Sequence, residues 1–244
     1  MIKILRSICL IALTATAITT TAFANDKPGG FIGYAYDLKT QELLYTEQHS
    51  YPSAVIHQVK YTEPDGKLFA NKTIDYQYSY HAPNILQKNN RNGELIDIKR
   101  IEDKDGRQET LIKYQENKKE SIKTGSVNNN SNLVIDAGFN QFIIKHWDTL
   151  IAGKKMTIDY LIPSALDHYE LSIKKESCED KGHHCFSISA SSFLISLFSS
   201  DLKLTYKITE NNHIRLISFQ GRSNICDSEG DYQDVKIIYQ YEQA

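Results

Sequence analysis

The sequence predicts a mainly β fold: a large curved antiparallel sheet or half-barrel with one amphipathic helix packed on its concave face. Three observations carry that expectation. Apolar and polar residues alternate with period two in many short runs, which on a pleated strand puts large side chains on one face. The chain holds fifteen Tyr, one Trp and five Pro, a balance that suits half-buried strands. One segment only carries a clear helical period.

Ile32, Tyr34, Tyr36 and Leu38 alternate with polar or small residues, as do Val55, His57, Val59 and Tyr61. Ile74, Tyr76, Tyr78 and Tyr80, interleaved with Asp75, Gln77 and Ser79, read as the clearest strand of all. Further runs are Met156 to Ile162, Tyr169 to Ile173, Leu202 to Ile208 and Val235 to Tyr241. Pro64-Asp65-Gly66, Asp103-Lys104-Asp105-Gly106 and Asn211-Asn212 supply the turn chemistry of hairpin tips. Short hairpin connections make sequential strands antiparallel neighbours.

From Asp136 the apolar positions Phe139, Phe142, Ile143, Trp147, Leu150 and Ile151 recur at helical spacing. A helix is expected from about Ala137 to Ile151, with Asp136 available as N-cap and Gly153 just beyond its end. Its apolar stripe needs a partner, and the concave face of a sheet supplies one. Ser191 to Ser200 holds Phe193, Leu194, Ile195, Leu197 and Phe198 too densely for period two. It reads as a short helix, a buried strand or an apolar loop. Residues 116–132 are rich in Lys, Asn, Ser and Gly and read as a polar loop inside one antiparallel domain spanning 25–244.

The first 24 residues have the parts of a secretory signal: Lys3 and Arg6, an apolar stretch from Ile8 to Ile18, then Ala22-Phe23-Ala24. The stretch is shorter than the roughly 20 residues a spanning helix needs, so cleavage and a periplasmic product are expected, with no membrane span in the mature chain. The formal net charge of −2 becomes more negative once Lys3 and Arg6 leave, which argues against nucleic acid as a partner. Cys178 and Cys185 flank a turn-like segment and predict a short-loop disulfide in an oxidising compartment. Cys226 is then the odd cysteine: a buried free thiol, an alternative partner, or a reactive group.

No Gly-rich phosphate loop, nucleophile elbow, His-Glu-x-x-His helix or calcium loop occurs, so no catalytic residue is assigned and no cofactor is expected. His183 and His184 beside the two cysteines are the best metal candidate. Adjacent side chains in a strand point to opposite faces, however, and oxidised cysteines are lost as ligands, so no metal site is assigned. Asp136, His146 and Asp148 lie on or near the helix, where a structural role explains them. His57 alternates with Val55 and Val59 and reads as a core or rim histidine. His49, His81, His168 and His213 have no company at ligand spacing.

Val134-Ile135-Asp136-Ala137-Gly138-Phe139, the run Leu202 to Ile208, and Gly221-Arg222-Ser223-Asn224-Ile225 before the last strand, together with the export signal, resemble the periplasmic outer-membrane lipoprotein carrier and related half-barrel proteins, as well as exported bacterial β proteins of no assigned activity. The resemblance implies an apolar ligand, a lipid or acyl chain, held on the concave face. Phe139, Trp147, Phe193 and Phe198 are the candidate cavity-lining residues; filling a packed core is their other role. A structural or protein-interaction module of the cell envelope, and an enzyme with a dispersed site, stand as the alternatives.

Overall fold

The computed structural model describes residues 29–102, 104–190 and 202–242. Eight strands come first: β1 Phe31–Asp37, β2 Leu43–Ser50, β3 Ile56–Thr62, β4 Leu68–Asp75, β5 Asn84–Asn89, β6 Leu95–Glu102, β7 Gln108–Gln115 and β8 Lys123–Asn128. The short β9 Leu133–Val134 leads into α1 Gly138–Lys145 and α2 Trp147–Ile151. After them come β10 Met156–Ile162, β11 Asp167–Glu176, β12 His183–Ala190, β13 Leu202–Ile208, β14 Ile214–Cys226 and β15 Tyr232–Tyr241.

All fifteen strands belong to one sheet, in the order β8-β7-β6-β5-β4-β3-β2-β1-β15-β14-β13-β12-β11-β10-β9. Every neighbour is antiparallel except β9 on β10. The β1–β15 pairing, from Phe31 opposite Tyr241 to Asp37 opposite Val235, joins the two ends of the described chain at the middle of the sheet. Sequential hairpins therefore grow outward from that seam in both directions.

This order corrects the half-barrel. The end strands β8 and β9 do not pair, so the sheet is open rather than closed, and it does not curl around a ligand cavity. The likeness to carrier proteins in sequence pattern does not extend to that architecture. Period-two alternation fixes which face of each strand is buried, and leaves the trajectory of the sheet undetermined.

Local details also depart from the pattern. The Tyr-rich run stops being a strand at Asp75, because the Asp75 carboxylate accepts a hydrogen bond from the Gln77 backbone N–H and turns the chain out of the ladder. Tyr76 stays buried, while Tyr78 and Tyr80 are exposed. The expected helix is two short helices broken at His146, whose φ is −103°. Asp136 does not cap it; Ala137 takes the N-cap position without a side-chain bond. Gly138 is needed there, since a Cβ would lie 2.0 Å from the His81 carbonyl oxygen. Within the polar segment 116–132 the structure places β8.

Two apolar clusters fill the interior. One gathers inward residues of β1 to β7 with Leu133, Ile135, Leu161, Ile225, Val235 and Ile237. The other packs Phe142, Ile143, Trp147 and Leu150 of the helices on Ile158, Leu171, Ile173, Phe186, Ile188, Leu204 and Tyr206. Each large side chain so buried contributes about 1.5–3 kcal/mol. Phe219 touches both clusters.

Candidate functional site

Among the residues assigned to a ligand cavity, Trp147 is buried and meets His184, Phe186 and Tyr206 edge-on at ring separations of 5.2 to 5.6 Å. Phe139 is half-buried beside Tyr160. Both belong to the packing of the helices on the sheet, and the structure brings them into one cluster. Phe193 and Phe198 lie outside the described residues, as does the rest of the 191–201 segment.

The Cys178–Cys185 disulfide is formed, with its Cα atoms 5.5 Å apart. Beside it lies an open hollow of about 550 Å³, lined by Lys175, Glu176, Asp180, Lys181, His183 and His184. His183 Nδ1 stands 3.4 Å from the Asp180 carboxylate. The second hollow, about 220 Å³, adjoins the Arg91–Glu63 ion pair. Both are open and charged rather than apolar. A lipid-binding cavity within a curved sheet is thus corrected: the aromatic residues that can be seen fill a core, and the hollows are polar and on the surface.

Sequence reasoning missed a network of buried polar groups inside the β1–β7 half. His49 Nδ1 lies 2.9 Å from His57 Nε2, and His49 Nε2 lies 3.2 Å from Glu47 Oε2. Phe31 stacks on His49 at 4.0 Å, and Tyr51 stacks on His57 at 4.5 Å. Burial, reinforced by neighbouring His49, pushes the His57 imidazole down to about 3, so it is neutral. Its Nδ1 is buried without a partner. The signal was available in hairpin arithmetic: Ser50 opposes Gln58 and His49 opposes Val59, which makes His49 and His57 diagonal neighbours on one face.

Two further groups continue this network. Lys72 Nζ donates to Asp136 Oδ2 at 2.6 Å, and the Asn224 amide approaches both Asp136 oxygens at 3.5 Å. Glu94, buried under the β5–β6 turn, accepts from Tyr232 Oη and from Gln87 Nε2. Burial raises its carboxyl above the usual range, against the pull of those two donors. Asn89 and Asn92 donate to the Cys226 thiol, and burial pushes that thiol up to about 12, so Cys226 is an inert thiol tying the turn to β14. The two hollows described above are lined by other residues.

β8 is the long end strand of the sheet, and its face at Gly125 packs against Leu166, just before β11. The Asn129 backbone N–H donates to the Gln108 carbonyl, and with Glu109 opposite Asn128 this sets the alternation of the ladder. Val127, Gly125 and Lys123 turn their backbone groups towards β7. Thr124, Ser126 and Asn128 turn theirs outward, and their side chains are exposed as well. The opposite end of the sheet differs: β9 is two residues long and buried. No helix among the described residues is long and apolar enough to cross a membrane. Comparison with known protein families, with curated proteins and with solved structures finds no match.

Proposed function

We propose that the chain is an exported structural or interaction module of the cell envelope, which engages a protein partner by adding an extended segment of it to the β8 edge. The observation that carries this reading is the outward row of N–H and C=O groups on Thr124, Ser126 and Asn128. An open edge is a template for strand addition, and proteins that avoid it place charge, Pro or a bulge there. The outward positions of β8 hold Thr, Ser and Asn instead. The secretory pattern of the first 24 residues and the disulfide support the compartment.

Ser126→Pro tests the edge. Residue 126 faces Leu111 in a non-hydrogen-bonded pair, so Pro removes an outward N–H without breaking the β7 ladder. A photo-reactive residue at Asn128, placed in the protein in its native envelope, is expected to give one defined protein adduct that Ser126→Pro abolishes while the thermal midpoint stays put. An adduct pattern indifferent to Ser126→Pro rejects the edge. Retention of Met1 in envelope-derived protein rejects export.

A further inference from the structure

We propose that Lys72 and Asp136 are joined by an amide cross-link formed by the folded chain itself, making this pair a covalent modification site. Lys72 stands mid-strand on β4, and its side chain is 1% exposed. Asp136 lies 64 residues further on, between β9 and α1, in the left-handed region at φ 44°. That backbone is uncommon for a residue other than Gly. With Nζ 2.6 Å from Oδ2, the fold holds the amine and the carboxyl group in contact.

An ion pair serves this position poorly. An ammonium has three donors, and Asp136 is the one hydrogen-bond acceptor of Lys72 Nζ among the described residues. A buried ion pair offsets its desolvation only when the remaining protons are also satisfied. An amide carries no charge, needs one acceptor for its N–H, and leaves a carbonyl oxygen for which the Asn224 amide, 3.5 Å from both Asp136 oxygens, is a donor in place. The Tyr61 ring centroid lies 5.9 Å from Nζ.

The step balances without any external reagent. Transfer of one proton from the ammonium to the carboxylate gives the amine and the carboxylic acid that react. The nitrogen lone pair attacks the Asp136 carboxyl carbon and a C–N bond forms. The C–O bond breaks, and the hydroxyl leaves with the second ammonium proton as water. Nothing is oxidised or reduced. Asp136, with its side chain 18% exposed, gives that water a way out.

Intact-mass measurement of the mature full chain, folded, oxidised and then denatured, tests the proposal. The expected mass is about 18 Da below that of the disulfide-bonded chain, the loss of one water, and proteolysis then yields a branched peptide holding both Lys72 and Asp136. Lys72→Met and Asp136→Ala should restore the full calculated mass. A wild-type mass without the deficit overturns the proposal, and so does a deficit carried by an unbranched peptide containing Asp136 alone, which is the signature of a cyclic imide at that residue. The measurement is independent of any partner at the β8 edge.

Discussion

The two halves of the sheet bury their inward faces differently. Where β10 to β13 meet the helices, the core is Phe142, Ile143, Trp147, Leu150, Ile158, Leu171, Phe186 and Tyr206, with Tyr206 Oη satisfied by Asn140 at 3.1 Å. Inside β1 to β7, Glu47, His49, His57, Lys72, Gln87, Asn89 and Glu94 are buried among the apolar residues. The first arrangement draws mainly on area removed from water, and burial holds His184, against Trp147, and His146, against Phe142, below the ordinary histidine range. The second depends on hydrogen bonds being complete, and the partnerless Tyr45 Oη, His57 Nδ1 and Gln87 Oε1 all lie there. One sheet thus carries a half held mainly by apolar packing and a half that also buries a cluster of paired polar groups.

The largest expected effect falls on the apolar half. Trp147→Ala removes the ring on which His184, Phe186 and Tyr206 converge, and should destabilise by about 3–5 kcal/mol in denaturant titration. A loss below about 1 kcal/mol would mean that the helices are loosely seated, and the contrast between the halves would fail.

Acid should act on the other half. His57 holds its folded-state value below the unfolded 6.5, so its contribution is complete above pH 6.5 and is lost as pH falls towards 3. Between pH 6.5 and 4.5 the loss is about 2 kcal/mol. Glu94 works in the opposite sense: its raised carboxyl stabilises the fold below 4.5, and that contribution is lost as pH rises through its folded value. Glu94→Gln should therefore steepen the acid loss, and His57→Leu should flatten it. Hydrogen exchange at pH 7 and pH 5 localises the effect; equal loss of protection in β1–β3 and β10–β13 would break the comparison.

The disulfide closes a short hairpin tip, so Cys178→Ser with Cys185→Ser should cost about 2–3 kcal/mol and leave the sheet intact. Smallest of all is Tyr78→Ser. Its ring is 61% exposed beyond the end of β4, and a change within about 0.5 kcal/mol in thermal unfolding is expected. A larger loss would mean that the exposed Tyr78 ring is covered in solution.

How much was legible follows from what period and composition encode. Ile32 to Asp37, Ile56 to Tyr61, Met156 to Ile162 and Leu202 to Ile208 lie in strands because alternation is a local property that one buried face enforces, while Leu38 and Val55 at the run ends fall outside them. Ile74 to Tyr80 shows its limit, since one Asx turn at Asp75 outweighs three alternating tyrosines. The short spacing of Cys178 and Cys185 made their bond readable, and helical spacing placed Trp147 on a buried stripe.

The sequence by itself therefore determined the secondary-structure class, the hairpin connections and the disulfide, because each depends on residues close together along the chain. Only the tertiary structure decided that the sheet stays open with β8 at its edge, that Asp136 turns away from the helix to meet Lys72, and that Glu47, His49 and His57 form one chain of contacts. Those outcomes depend on strand register and on which buried faces meet. Register across a sheet is fixed by the summed packing of both faces, a quantity that no single segment contains.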